Sequence, residues 1–520
     1  MTTEPAVSTS PKAKFPPQIP YIIGNEACER FSFYGMRNIL VKFLISYLLL
    51  QVAESHREAE AKEVFHVFAM GVYFFPLLGG WLSDRYLGKY RTIFWLSLLY
   101  CLGHACLAVF ESSRNGFYGG LLLIALGSGG IKPSVSSFVG DQFDATNKHL
   151  ARVVFDAFYW VINFGSFFAS LLMPLALKGY GPKVAFGIPG LLMFVATLIF
   201  WAGRKRYFIA EPKPADPHSF GPIARSALSK GTGLSKALAA ISILGAILAF
   251  LTIVWFGFVA AFCLSLVVLL IVGGAAVYMS LDHARGDHPD EDVDGVAAVL
   301  RVLPFFAFVS AFWSLFDQKA STWIIQAQAM RLPAISWFKE ASQMQAINPA
   351  LVMILIPLNN LFLYPLIRKL GVNPTQLRRM TMGIVFAGIS WIVIGSVQLR
   401  IDGGERISIL WQLVPYVLLT FGEVLVSATG LEFAYSQAPA KMKSTLMSFW
   451  SLSSTFGNLW VLLVNVIVKN EGITKSITSQ TGLSTTAFQM FFFAGFAFLA
   501  ALGFGIYASR YKMVEYYRQS

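Results

Sequence analysis

Glu26, Glu29 and Arg30 stand at i, i+3 and i+4, so they share one face of a helix, with Glu26 one turn ahead of Arg30 in the favourable orientation for an ion pair. Arg37 lies two further turns along roughly the same face. Two carboxylates around one guanidinium can take up a proton and release the arginine, which is ion-pair and proton chemistry rather than bond cleavage. Other ionisable residues fall inside long uncharged runs: His66, Lys132, Arg301, Asp317, Glu423 and Glu432. A charged group in hydrocarbon is costly unless paired or hydrated, so each is a candidate functional residue and the stripe through Arg37 needs a watered cavity beside it. Histidine titrates near neutrality, which suits His66 to proton handling. His104, between Gly103 and Ala105, reads instead as a packed or hydrogen-bonded core residue.

Some chemistries are excluded. Asp290-Glu-Asp292-Val-Asp294-Gly295 matches the first half of a calcium loop, but Arg301 occupies position twelve, where a bidentate Glu is required. Gly127-Ser-Gly129-Gly130-Ile-Lys132 lacks the strand context and spacing of a phosphate loop and reads as close helix packing. The chain holds no zinc, haem or nucleophile constellation and no ATPase motif, so we expect no enzyme activity and no cofactor. An ion gradient is the natural driving force.

The elements that position these residues must be membrane helices. Hydrophobic residues make up 56% of the 520 residues and charged residues 13%, where a soluble protein carries roughly 25% charged. Spans of about 20 residues are expected at 21–51, 60–83, 91–111, 117–140, 150–177 and 184–203. The run from Ala237 to Leu281 is too long for one span and is expected to form a hairpin turning near Gly257. Six more follow at 300–326, 341–368, 378–399, 407–434, 444–469 and 486–510. The expected organisation is a tail over 1–20, a six-helix bundle over 21–203, a linker with hairpin over 204–299, a second bundle over 300–510 and a tail over 511–520.

The net charge of +13 would suggest nucleic acid in a soluble protein. Here it is expected to reflect cytoplasmic Lys and Arg, and no nucleic-acid partner is expected. Arg85, Lys89 and Arg91, the basic residues from Arg204 to Lys236 (Lys213 among them), and Arg368, Lys369, Arg378 and Arg379 fall on one side, so both termini are expected in the cytoplasm. The polar, Pro-rich start shows no signal peptide. Cys28, Cys101, Cys106 and Cys263 read as buried free thiols.

Gly80-Trp-Leu-Ser-Asp84-Arg85-Tyr-Leu-Gly88-Lys89-Tyr-Arg91 resembles the loop motif of the major facilitator superfamily. A faint echo, Tyr364-Pro-Leu-Ile-Arg368-Lys369-Leu-Gly371, stands at the equivalent place in the second half. Such transporters rock two six-helix halves around a midplane site. Glu26-Ala-Cys-Glu29-Arg30-Phe31-Ser-Phe33-Tyr34-Gly35 resembles the ExxERFxYYG signature of proton-dependent oligopeptide transporters. Phe155–Phe167, Trp313–Gln318 and Gly422–Ser427 resemble that family's fifth-, seventh- and tenth-helix motifs, in order. The hairpin and the short loop near 400–406 resemble prokaryotic members.

The resemblance implies an all-α major facilitator fold of 6+6 helices plus a hairpin, in a bacterial cytoplasmic membrane. It implies symport of di- and tripeptides with protons. Glu26, Glu29, Arg30, His66 and Asp317 would couple the proton. Arg37 and Lys132 would meet the peptide carboxylate, which a guanidinium can bind with two hydrogen bonds. Glu423 would pair with the ammonium, helped by Asn163 and Asn348. Tyr34, Tyr73, Trp313 and Trp450 would line side-chain pockets, with Ser427 also in the site. Nitrate or a modified amino acid would be alternative cargo, but nitrate needs no acidic partner. A non-transporting receptor would not need the ExxER set. Phe33 departs from the signature Tyr, Lys319-Ala320-Ser321 replaces the usual small residue and Gly, and Asn360 leaves Arg301 without its usual Asp.

Overall fold

The computed structural model describes residues 15–513 apart from 144–146, 148–149, 213–215, 370, 372, 438 and 440–441. Most of both expected tails, and Lys213, therefore lie outside the described residues. Apart from two isolated bridges, the described secondary structure is helical.

The first half is built from α1 (Ile19–Phe43), α2 (Glu54–Leu82), α3 (Lys89–Val109), α4 (Arg114–Asp141) and α5 (Ala151–Ala202). A straight α5 would run roughly 78 Å, more than twice the hydrocarbon thickness. It is instead two spans broken at Gly181, whose φ of 79° is left-handed. Pro182 then opens the second arm, a position where its missing N–H costs nothing. The two helices expected at 150–177 and 184–203 are therefore joined by a tight glycine break rather than a loop.

The linker carries α6 (Phe220–Lys230), a short amphipathic helix that the hydropathy pattern does not mark. The hairpin follows as α7 (Gly233–Leu251), α8 (Ile253–Val268) and α9 (Gly274–Ser280), with Gly257 at φ 76° breaking the apolar run. The second half contains α10 (Asp290–Asp317), α11 (Thr322–Gln328), α12 (Ile347–Leu358), α13 (Tyr364–Lys369), α14 (Gln376–Asp402), α15 (Leu413–Ser436) and α16 (Lys443–Val468). It ends with α17 (Glu471–Thr481) and α18 (Thr485–Arg510); α17 is polar and likewise carries no hydropathy signal.

Among the described residues, 12 helices are long and apolar enough to cross a membrane. That figure counts both arms of α5 as one and omits α1, whose charges disqualify it by composition. Allowing for both restores six, two and six.

Each half has its own apolar core. Phe43, Phe65, Phe117, Phe138, Phe186 and Phe200 centre the first, and Phe305, Phe312, Trp323, Trp391 and Phe433 the second. A small third cluster joins Ala260 and Cys263 of the hairpin to Met70 of α2 and Leu459 and Leu462 of α16, so the hairpin rests against both halves. The glycines before Lys132 act as expected. A Cβ on Gly79 of α2 would collide with the Gly130 backbone of α4, and one on Gly130 would collide with the Leu96 side chain. Backbone contact this close is how helices associate in lipid.

One expectation needs correction. Only Cys263 is buried; Cys28, Cys101 and Cys106 are half-buried, and all four are free. Cys28 and Cys101 pack at the margin of the first core rather than inside it. In the exposed acidic stretch after the hairpin, Arg285 pairs with Asp282, Asp290 and Asp294 at 3.0, 3.2 and 2.6 Å. Beside it a hydrogen bond from Lys230, with another from Ser226, holds Asp287 below the usual carboxylate range.

Candidate functional site

The charged stripe of α1 is buried. Glu26 and Glu29 expose 1% and 0% of their surface, and Arg30 Nε lies 2.6 Å from Glu26 Oε1 and 2.8 Å from Glu29 Oε2. Glu26 Oε2 and both carboxylate oxygens of Glu29 are buried with no hydrogen-bond partner, the Arg30–Glu29 contact being an ion pair only. One guanidinium thus faces two carboxylates and leaves Glu29 without any hydrogen bond, an arrangement that a single proton would relieve.

Two turns on, Arg37 leaves its own half. Its Nη2 lies 2.6 Å from Asp317 Oδ1 at the end of α10. The other oxygen, Oδ2, accepts from Asn458 Nδ2 of α16 at 2.8 Å. Asn458 Oδ1 lies 2.7 Å from His66 Nδ1 of α2, and His66 Nε2 lies 3.0 Å from Ser321 Oγ. With the Asn458 amide donating to Asp317, its oxygen accepts from His66, so a neutral His66 carries its proton on Nδ1 and accepts from Ser321. Arg37, Asp317, Asn458 and His66 form one line that crosses twice between the halves.

A second line runs inside the second half. Glu423 Oε2 accepts from Asn348 Nδ2 at 2.6 Å, Asn348 Oδ1 accepts from Lys319 Nζ at 2.7 Å, and Thr420 Oγ1 joins at 3.0 Å. Lys319 also packs 3.2 Å from the Phe316 ring centroid. The structure thus joins Asn348 to Glu423. Asn163 instead donates within its own helix, to Tyr159 O at 3.0 Å. Ser427, one turn beyond Glu423, is half-buried.

Lys132 lies 3.9 Å from the Phe33 ring centroid and 5.4 Å from that of Tyr73. Phe33 thus keeps the ring face that a Tyr would offer, and that face stabilises the ammonium. Tyr34 meets Phe33 edge-on at 5.3 Å, and Trp313 meets Trp450 edge-on at 6.2 Å. His104 takes the core role, 2.9 Å from Ser32 Oγ and stacked on Tyr100.

Sequence reasoning missed Lys319, Ser321 and Asn458 as site residues. Lys319 is visible as a charge within a span; Ser321 and Asn458 give no signal, because a neutral polar residue in an apolar run is ordinary. A further set closes the end of the halves opposite the described termini. Lys42 and Lys178 of the first half pair with Glu340. Gln345 donates to Asn38 O at 2.9 Å, Gln343 to Leu171 O at 3.1 Å, and Lys469 pairs with Glu63.

Residues 90–480 match a family model described as POT family. The chain belongs to the POT family. Solute carrier family 15 member 2 of Mus musculus is 33% identical over 426 residues, covering 77% of this chain and 51% of the relative. The chain thus spans about half the length of the curated relatives it matches. A solved structure described as an auto inhibited POT family peptide transporter is 63% identical, with a TM-score of 0.93, covering 97% of this chain and 99% of the other. The POT family transporter PepTSo is 61% identical with a TM-score of 0.93, over 96% and 98% of the two chains. This POT-family chain accordingly has the multi-pass helical fold of the major facilitator type.

Proposed function

We propose that this protein carries di- and tripeptides across the bacterial cytoplasmic membrane together with protons, by alternating access, with both termini cytoplasmic. The observation that carries the proposal is the pair of charge lines, one crossing between the halves and one inside the second half. Arg37 and Lys132 stand at one pole and Glu423 at the other, the charge pattern of a zwitterion. Glu423, presented by Asn348, takes the peptide ammonium in exchange for its tie to Lys319. Arg37 takes the carboxylate with its planar fork and in doing so leaves Asp317. Binding thereby loosens a bond that joins the two halves. A ligand can bias a two-state molecule only through such a difference between states.

Proton coupling is assigned to Glu26, Glu29 and Arg30, with His66 and Asp317 as the relay that crosses the halves. Tyr34, Tyr73, Trp313 and Trp450 offer side-chain walls, with Asn163 and Ser427 at their margins. Clamping the constant ends of a short peptide leaves its side chains loosely specified. The proton gradient supplies the energy, with no cofactor. The excess of Lys and Arg on the loops of the terminal end supports the orientation. The test is uptake of labelled dipeptide into proteoliposomes with and without an imposed pH gradient. Concentrative uptake that needs the gradient and disappears in Glu423→Gln is expected; gradient-independent uptake, or competition by N-acetylated peptides as strong as by free ones, overturns the reading.

A further inference from the structure

We infer that the cleft between the inserted hairpin and the second half binds one anionic phospholipid of the surrounding membrane, its phosphate on Arg301, Arg510 and Lys512. The cavity is about 730 Å³, lies among the hairpin, α10, α16 and α18, and is lined by none of the residues of the charge lines described above. Its two ends differ in chemistry. At the deep end Phe456 and Trp460 form the wall, and the indole N–H of Trp460 is already given to Ser310 Oγ at 2.9 Å. At the other end Arg301, Arg510 and Lys512 gather where α18 finishes, at the terminal end of the molecule.

Those three cations are not spent elsewhere. All are exposed. The Arg301 Nε is hydrogen-bonded only to Ala297 O of its own helix, at 3.3 Å, and among the described residues none of the three has an ion-pair partner. Tyr278, Tyr507 and Tyr511 line the same end, the residue type that marks headgroup level. From Arg301 to Ser310 along α10 is nine residues, roughly 14 Å, about half the hydrocarbon thickness. The cleft is therefore one leaflet deep: apolar over the length of an acyl chain, cationic where that chain's phosphate would sit.

Charge complementarity selects the occupant. An apolar cleft open to hydrocarbon fills with acyl chain, since an empty one forfeits contacts, and a basic pocket between spans at the membrane surface favours an anionic headgroup over a zwitterionic one. A soluble phosphate would have no use for the deep end. The same site gives Arg301 a role without the Asp that the resemblance led us to expect at position 360.

The full chain in detergent is offered phosphatidylglycerol or phosphatidylcholine with identical acyl chains, and bound lipid is counted by native mass spectrometry. Wild type should retain one phosphatidylglycerol at least about tenfold more tightly than phosphatidylcholine, a modest share of what three interfacial cations can supply. Arg301→Gln, Arg510→Gln and Lys512→Gln combined should erase the preference while dipeptide binding persists as a control of folding. Ala307→Trp, which narrows the apolar part, should lower retention of both lipids. Equal retention of the two lipids by wild type, a preference that survives the triple variant, a cleft insensitive to Ala307→Trp, or displacement of the lipid by soluble glycerol phosphate would each overturn the inference.

Discussion

Arg37 holds Asp317 through one nitrogen at 2.6 Å, and the same guanidinium is the cation proposed for the peptide carboxylate. A lysine there would keep the charge and lose the fork. Arg37→Lys should weaken dipeptide binding roughly tenfold, the order expected when one charge-assisted hydrogen bond is lost, as measured by competition against labelled dipeptide; wild-type affinity would sink the assignment. Glu29 asks a different question. Its Oε1 is buried without a partner, and glutamine mimics the protonated acid permanently. Glu29→Gln should abolish uphill uptake driven by pH while exchange of labelled for unlabelled dipeptide survives; concentrative uptake by the variant would show that this carboxylate is not an obligatory coupling site. The i, i+3, i+4 spacing makes this face legible from the order of residues alone. The joining of Arg37 to Asp317 is not legible in that way, because 280 residues separate them and spacing carries no information at that range. Asn458, which stitches that pair to His66, is hidden by its neutrality.

At the scale of elements, glycine positions decide how closely spans approach. Gly79 and Gly130 bring α2 and α4 into backbone contact, and α4 carries Lys132 two residues beyond. A side chain at Gly130 must displace Leu96 of α3, against which α4 also packs. Overpacking of this kind costs about 1–3 kcal/mol, so Gly130→Val should lower the thermal midpoint of the purified protein. It should also depress dipeptide affinity through Lys132, whereas Gly119→Val, at a position with open space around it, should do neither. Hydropathy locates the long spans well, since uncharged runs reflect lipid contact directly. It misses α6 and α17 because short amphipathic or polar helices owe their form to local capping and packing. Asn470, for instance, caps α17 through its side chain.

At the scale of the molecule, two halves with largely separate cores meet through polar contacts and a small apolar cluster of Met70, Leu459 and Leu462, so parting them exposes little apolar surface. Glu340 is the hub at the end opposite the described termini, taking both Lys42 and Lys178. Removing its charge should weaken closure there. Charge-assisted bonds are worth about 1.5–3 kcal/mol each, enough to shift a two-state population by tenfold or more. Spin labels at Tyr47 and Trp337, both exposed, on an otherwise cysteine-free chain, should therefore report a longer distance population in Glu340→Gln than in the parent; identical distributions would show that Glu340 does not hold that end shut.

The polar character of α1 also bears on how the protein is made. By composition it is not among the helices apolar enough to span, and each charge near a helix centre opposes insertion by about 2.5–3.5 kcal/mol. Its hydrogen-bond partners arrive late: Asn38 bonds Ser170, Ser32 bonds Pro189 O, and Asn25 bonds Ala196 O, all on α5. A nascent chain therefore presents its first span to the insertion machinery well over a hundred residues before the helix that shelters it exists. Nascent chains halted after α2 and carrying a glycosylation reporter should integrate α1 poorly, and chains extended through the second arm of α5 should integrate it fully. The residues that would let the finished protein do work thus make its first helix a late-committing guest in the bilayer, dependent on its own downstream sequence for admission.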